Sequence, residues 1–369
     1  MRKTVKIVIG LAMLISLCKG FLYWSDNHSR TKEISNLTLA PSDCLNITRR
    51  GPERGAIVDG ERYHCLTAPL ILEGHHNSFT PEGPKYYRAD SIALLVAADN
   101  TTLDFRGHLV RSRADGVDAV NGARVAAGGD NSGRIGGTAY LFENWQGFFK
   151  NITVKNGRAE LKYRGMGIYF PGDAHWYVAE LNDRLKGSQR ESYGTLITEQ
   201  KRKVRYSSYN VDRNIVIDTM HIRSKDPGIL IQGGRTIIRN SVIETDDTTG
   251  IWVFGSNALI EGNIIIVHRA ESSWWDDYGA VKRGAPIRLV YADGAVIRNN
   301  RIVIKGFAKG SAVSITDSKS VILENNQIFG INPESPLAAT YDGAELPRAT
   351  NTTFEPGWKA WFIGGVFNY

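Results

Sequence analysis

Apolar residues recur through the middle of the chain in a short pattern that repeats between Asn214 and Ile328. Four copies have the form Ile/Leu-x-x-Asn-x-Ile/Val, and their asparagines are Asn240, Asn263, Asn300 and Asn326. The copies lie about two dozen residues apart, except where an insertion around Trp274 lengthens the spacing. A period of that length, built from short apolar strands and turns, predicts a β-solenoid in which each coil stacks on the one before it.

A second short strand follows most copies, and the alternation of its residues separates an inner side from an outer side. The residues predicted to point inward are Ile168, Phe170, Ile229, Ile231, Ile251, Val253, Ile287, Leu289, Val313 and Ile315. The intervening residues form a predicted outer column of Tyr169, Leu230, Trp252, Arg288 and Ser314. A second predicted outer column contains Gln232, Phe254, Val290 and Thr316.

The outer columns are the first candidates for a binding surface. Exposed rings at Tyr169 and Trp252 would suit stacking against sugars, and Arg288 beside them would suit a carboxylate group. The alternative is that the aromatic rings are covered by the inserted loops.

Composition narrows the class of partner. The chain has 369 residues, which is enough for one large globular domain or two. Its 38 glycines indicate many tight turns, and its net charge is +7. A basic balance is compatible with an acidic polysaccharide, a nucleic acid or an anionic membrane, or simply with a solvated basic surface. No basic run is interleaved with aromatic residues as a nucleic-acid groove would require, so we predict no nucleic-acid partner.

The first residues are typical of an export signal. Arg2, Lys3 and Lys6 precede an apolar run from Ile7 to Cys18, which is too short to cross a bilayer unaided. We predict a signal peptide or short membrane anchor over residues 1–24, and hence an exported protein that is periplasmic, cell-surface or secreted. A buried core helix is the alternative.

Two cysteines lie in the segment that follows, residues 25–85, which we interpret as an N-terminal cap region. In an exported chain, Cys44 and Cys65 are expected to form a disulfide, and two free buried thiols are the alternative.

Two earlier segments carry a specific resemblance. The sequences TTLDFRG, which begins at Thr101, and FKNITVKNG, which begins at Phe149, resemble coils of the pectate-lyase-like superfamily. The resemblance implies an all-β fold, a right-handed parallel β-helix, over residues 86–330, with insertions at 173–211 and 270–284. It also implies that Asn240, Asn263, Asn300 and Asn326 stack as a ladder. The aromatic tail, residues 331–369, would then cap the open end.

Acidic residues precede two consecutive outer strands. Asp226 lies 21 positions before Asp247, and Glu244 and Asp246 lie beside the latter. Adjacent coils would place these carboxylates about 5 to 8 Å apart, close enough for acid–base catalysis or calcium binding. The arrangement is similar to that of polygalacturonase-type hydrolases, although Gly-His-Gly and Arg-Ile-Lys are missing. Aspartates are also common in turns for structural reasons.

The second insertion has an unusual composition, with Trp274, Trp275, Lys282 and Arg283 close together in sequence. These residues suit contact with a sugar, and calcium is a candidate cofactor. We therefore expect a protein that acts on an acidic polysaccharide by lyase or glycoside hydrolase chemistry. Its predicted catalytic residues are Asp226, Asp246, Asp247 and Arg288, and its predicted contact residues are Tyr169, Trp252, Trp274, Trp275, Lys282 and Arg283. The alternative is a non-catalytic β-helix that binds or assembles an envelope polysaccharide or exopolysaccharide.

Overall fold

The computed structural model describes residues 44–48, 56–58, 61–72, 94–96, 98–112, 117–119, 149–161, 167–170, 212–224, 227–246, 249–268, 285–308, 311–331, 336–341 and 343–355. All regular elements in these ranges are β-strands. They are β1 (Leu45–Asn46), β2 (Ala56–Val58), β3 (Tyr63–Cys65), β4 (Leu70–Leu72), β5 (Leu94–Val96), β6 (Thr102–Asp104), β7 (Leu109–Ser112), β8 (Val117–Ala119), β9 (Thr153–Leu161), β10 (Ile168–Phe170), β11 (Val216–Ser224), β12 (Ile229–Gln232), β13 (Ile237–Arg239), β14 (Val242–Thr245), β15 (Ile251–Phe254), β16 (Leu259–Glu261), β17 (Ile264–Val267), β18 (Ile287–Val290), β19 (Val296–Arg298), β20 (Arg301–Ala308), β21 (Val313–Thr316), β22 (Ile322–Glu324), β23 (Gln327–Ile331), β24 (Ala338–Tyr341), β25 (Arg348–Thr350) and β26 (Thr353–Glu355).

The strands stack in three parallel sheets, so that one coil of the chain passes through each sheet in turn. Sheet 1 contains β1, β3, β6, β13, β16, β19, β22 and β25, and sheet 2 contains β4, β7, β14, β17, β20, β23 and β26. The long strands β9 and β11 run through both of these sheets. Sheet 3 contains β2, β5, β8, β10, β12, β15, β18, β21 and β24. The chain is therefore a parallel β-helix, as the resemblance implied.

The coils extend beyond the predicted range of 86–330 in both directions. Strands β1 to β4 pair with later coils before residue 86, and β24 to β26 continue the sheets after residue 330. Residues 1–24, the insertion at 270–284 and the insertion at 173–211 lie outside the described residues. In the part that is described, no helix has the length and apolarity needed to cross a membrane.

The inner side of the three sheets forms one continuous hydrophobic core. All ten residues predicted to point inward from sheet 3 are buried in it, which confirms the alternation. Isoleucine and valine dominate because β-branched side chains pack well on a pleated, buried surface. Each coil buries its apolar side only against its neighbours, so stability is shared along the axis.

A ladder of buried asparagines fixes the turn between sheets 1 and 2. The side-chain amide Nδ2 of Asn263 donates to Oδ1 of Asn300 at 3.0 Å, and Nδ2 of Asn300 donates to Oδ1 of Asn326 at 3.0 Å. The same oxygens accept backbone N–H groups of the preceding coil. This confirms the ladder for three of the four predicted asparagines.

The prediction was wrong for Asn240, which lies outside the ladder. Asn240 is exposed with a φ of 51°, and Ser241 occupies the ladder position, donating its backbone N–H to Oδ1 of Asn263 at 3.0 Å. The reason is register: Ile238, not Ile237, pairs with the buried Ile260. The asparagine of the first copy therefore falls one residue early, on the left-handed turn position that asparagine tolerates.

The outer side of sheet 1 carries a column of residues whose charges alternate in sign from coil to coil. This charged column consists of Asp104, Lys155, Asp218, Arg239, Glu261, Arg298 and Glu324. Within it, Arg239 bonds Asp218 and Arg298 bonds Glu261, each at 2.7 Å.

The predicted disulfide is present at the N-terminal end of the described coils. Cys44 and Cys65 are bonded, with their Cα atoms 5.9 Å apart. Because Cys65 ends β3 and Cys44 precedes β1, the bond ties two neighbouring strands of sheet 1 together.

Candidate functional site

The predicted outer column of sheet 3 is aligned as expected but is not exposed. Tyr169, Leu230, Trp252, Arg288 and Ser314 are successive strand partners. Trp252 and Arg288 are each only 6% exposed, however. The prediction that these two side chains are exposed and available to a sugar is therefore wrong. Alternation identifies the side of a sheet to which a residue belongs, but it does not reveal what packs over that side.

Arg288 and Trp252 contact each other. The guanidinium carbon of Arg288 lies 4.1 Å from the centroid of the Trp252 ring, a cation–π arrangement. The Trp252 ring in turn stacks on Phe254, with the centroids 5.1 Å apart. The Tyr169 backbone pairs with that of Leu230, and its side chain lies outside the described residues.

The second outer column changes from buried to half-exposed along the axis. Gln232 and Phe254 are buried, whereas the later partners Val290, Thr316 and Tyr341 are half-exposed. The outer side of sheet 3 is therefore accessible to solvent from its C-terminal coils.

Of the three predicted catalytic aspartates, only Asp246 lies in the described residues. Asp226 and Asp247 lie outside them, as do Trp274, Trp275, Lys282 and Arg283. Asp246 is half-buried directly after β14, and its backbone N–H donates to the Ser224 carbonyl at 3.0 Å. Since Thr245 pairs with Val267, the next coil places His268 beside Asp246, with the two backbones about 4.8 Å apart.

Four charged or titratable residues come together at this end of sheet 2. We call them the Glu244 cluster, and they are Arg223, Glu244, His268 and Lys305. Oε1 of Glu244 lies 2.7 Å from Nε2 of His268. The Glu244 residue is only 3% exposed, and its Oε2 has no hydrogen-bond partner among the described residues. The cluster therefore combines a buried carboxylate, an imidazole and two cationic side chains.

The cluster keeps Glu244 ionised. Burial alone would raise the pKa of Glu244, but the hydrogen bond with His268 and the charges of Arg223, His268 and Lys305 together lower it below its ordinary 4.5. Burial lowers the pKa of Lys305, an effect that Glu244 partly offsets and Arg223 reinforces. Glu244 is thus a poor proton donor near neutral pH, while Lys305 loses its proton more readily than an ordinary lysine.

Sequence reasoning named Glu244 only as one acid among several, and it missed Arg223, His268 and Lys305. Glu244 and His268 are 24 positions apart, close to the repeat length, so the coil register was the available signal. Lys305 follows the insertion at 270–284, which hides its alignment with His268. Across the described residues, no group of three or more His, Cys, Asp and Glu side chains is arranged to hold a metal ion. The calcium prediction depends on residues outside that part.

A family model matches the C-terminal part of this fold. Residues 204–355 match the family model described as a right handed beta helix region. The chain is a right-handed parallel β-helix. No curated protein matches the sequence of this β-helix. A solved structure, the enzymatically active domain of tailspike protein 2 from bacteriophage CBA120, aligns with a TM-score of 0.39 at 10% identity. The alignment covers 85% of this β-helix but 38% of that chain.

Proposed function

We propose that the protein binds an acidic polysaccharide at the end of sheet 2 and cleaves it by β-elimination. The observation that carries this proposal is the Glu244 cluster, in which a buried, ionised carboxylate is bonded to an imidazole and has two cationic side chains nearby. Cationic side chains beside an acid–base pair are what the elimination of a uronate sugar requires: one group removes a proton and others neutralise the substrate carboxylate.

Each residue of the cluster has a role in this reaction. With its proton on Nε2, His268 donates to Glu244, and its other ring nitrogen, Nδ1, accepts the proton from the carbon beside the uronate carboxylate. The electron pair of that C–H bond forms the new C=C bond, the bond to the leaving sugar oxygen breaks, and that oxygen takes a proton from water. Lys305 and Arg223 supply positive charge for the substrate carboxylate, while Glu244 positions the imidazole.

The lowered pKa of Glu244 favours elimination over hydrolysis. A glycoside hydrolase needs one carboxylic acid that is protonated at working pH, and such a residue has a raised pKa. Glu244 has the opposite shift, because its hydrogen bond and positive neighbours outweigh its burial.

The test is a panel of uronate polymers assayed both for the absorbance of unsaturated products and for reducing ends. We expect absorbance from the parent, and a loss of about 10²- to 10⁴-fold in His268→Ala and Glu244→Gln. Glu261→Gln is the control, because Glu261 is likewise an ion-paired glutamate but is half-buried and lies on sheet 1. New reducing ends without absorbance would contradict elimination, and full activity in His268→Ala would contradict its role as the base.

A second candidate is a non-catalytic polysaccharide-binding protein. It is favoured by the burial of Arg288 against Trp252, because this contact removes a predicted catalytic residue from the accessible surface. Binding of a uronate polymer with neither product signal would support this candidate.

A further inference from the structure

The outer side of sheet 2 differs in character on the two sides of the Glu244 cluster. On the N-terminal side, two adjacent outer columns carry mostly cationic or titratable side chains. We call these residues the basic strip, and they are Arg111, Arg158, His221 and Arg223. Arg158 is exposed, the Arg111 side chain is 33% exposed, and the other two residues are half-buried. The basic strip is therefore accessible to solvent.

The basic strip leads directly into the Glu244 cluster. Arg111 pairs with Glu160 in the next coil, and Glu160 pairs with Arg223. Arg223 is in turn the strand partner of Glu244. Arg111 is thus three coils from Glu244, about 14 Å along the axis, which is close to the length of a trisaccharide. Guanidinium groups bind carboxylates well, so the strip suits the uronate groups of consecutive sugars.

On the C-terminal side of the cluster, the same column is apolar and closed to solvent. Glu244 pairs with Ile266, and the column continues with Val303 and Phe329. These three apolar residues form a hydrophobic cluster of their own and are at most 5% exposed. The neighbouring column carries the half-buried Arg301. In the column that contains Glu244, a polymer therefore meets accessible charged side chains on the N-terminal side only.

The basic strip also differs from a column of charges that only stabilises its sheet. Within the strip, Glu160 bonds Arg111 at 2.7 Å, much as the members of the charged column of sheet 1 pair with one another. Arg158 and His221, in contrast, are direct strand partners. Like charges opposite each other in a sheet are unfavourable, so a purely structural column would place an acidic residue beside Arg158 in that coil. An anionic ligand compensates this pair instead.

We propose that the acidic polysaccharide binds along the basic strip and ends just beyond the Glu244 cluster, so that cleavage takes place near one end of the polymer chain. The inference rests on the proposed function, because it assigns the sugar-binding positions of the same site. Sugars on the N-terminal side are bound through their carboxylates. On the other side of His268, only the sugar next to the cleaved bond and a short remainder are bound.

The position of the cleaved bond tests the inference directly. Hexasaccharides of the uronate polymer that the protein cleaves are labelled at the reducing end, and the first products are sized by mass spectrometry. We expect the cleaved bond to lie about one or two sugars from one end, because the binding energy of the other sugars comes from one side of the site. Equal trisaccharides as the main products would overturn the inference and leave elimination intact.

Arg158→Gln and Arg301→Gln provide a matched pair of variants. Both arginines belong to the same outer column of sheet 2, but they lie on opposite sides of the Glu244 cluster. At low ionic strength, we expect Arg158→Gln to raise the Kd for a uronate hexasaccharide by about 2- to 5-fold, as measured by calorimetry. Arg301→Gln should leave the Kd unchanged. Equal weakening by the two variants, or no weakening by Arg158→Gln, would overturn the inference.

The two experiments distinguish failure of the inference from failure of the proposed function. If a polymer of the panel binds but is not cleaved, elimination is contradicted, and the matched pair of variants still decides whether the basic strip holds the polymer. If no polymer of the panel binds, the proposed function fails and the inference fails with it.

Discussion

Glu244 remains charged inside a largely buried site because its neighbours outweigh the cost of desolvation. The neighbours are His268, through a 2.7 Å hydrogen bond, and the cations Arg223 and Lys305. Removing one partner of such a group leaves the others without a counter-charge, which is more costly than the pair was favourable. The cluster is therefore sensitive to any change that neutralises Glu244.

Neutralising Glu244 by acid should reproduce the effect of mutation. The folded-state pKa is below the ordinary 4.5, so the stabilisation is fully present above pH 4.5 and is lost as the pH falls through the folded-state pKa. We expect Glu244→Gln to lower the free energy of unfolding at pH 7 by about 1.5 to 3 kcal/mol. The difference from the parent should narrow below pH 4.5, as measured by urea unfolding between pH 3 and pH 7. A constant difference across this range would contradict the assigned pKa direction.

The sequence predicted the alignment of the outer residues but not their exposure or the Glu244 cluster. Successive strand partners follow from the repeat length, which is why Leu230, Trp252 and Arg288 align as expected. Burial depends on what covers a sheet, and periodicity within the strand carries no information about that. The spacing of 24 residues between Glu244 and His268 is close to the repeat length, but the repeat length alone does not select this pair among the residues of neighbouring coils.

The asparagine ladder takes the place of a conventional turn at the corner between sheets 1 and 2. Each buried asparagine satisfies backbone groups of its neighbours, so the corner between sheets 1 and 2 does not need water. The sequence pattern located three of its members because, in those three copies, the apolar residue that begins the pattern is the buried one, and the asparagine follows it at a constant spacing. It misplaced the first because Ile237 and Ile238 are both apolar, and only strand pairing selects the inner one.

Removing one member of the ladder should destabilise the fold strongly. Asn300→Ala removes the bonds from Nδ2 to the Ile260 carbonyl and to Asn326, and it leaves the Asn263 backbone N–H without its acceptor. We expect a loss of about 2 to 4 kcal/mol, measured by urea unfolding. Asn299→Gly is the control, because Asn299 is exposed with a φ of 56° that glycine adopts freely, and its effect should stay within about 0.5 kcal/mol. Equal losses in the two variants would mean that the ladder bonds contribute little.

The coils contact only their neighbours along the axis, so local unfolding at one end is expected to leave distant coils folded. The disulfide between Cys44 and Cys65 belongs to the N-terminal end. It closes a loop of 21 residues, a constraint that contributes about 3 kcal/mol by the chain-entropy estimate.

Replacing both cysteines by serine should therefore loosen one end of the molecule. We expect faster amide hydrogen exchange in β1 and β3, with exchange in β19 and β22 unchanged, because distant coils unfold independently of the terminal one. Hydrogen exchange followed by mass spectrometry measures this difference. A uniform increase in every strand would instead indicate a single cooperative unit.

The charged column of sheet 1 restricts how the length of this β-helix can change. Its seven members alternate in sign from Asp104 to Glu324, so each of the five interior members has a residue of opposite charge on both sides. Loss or duplication of a single coil within the column would place two like charges side by side, which is destabilising in a sheet. Loss or duplication of two coils preserves the alternation. Coils can therefore be added or lost without electrostatic penalty only in pairs. The charge pattern repeats every two coils, whereas the hydrophobic pattern repeats every coil.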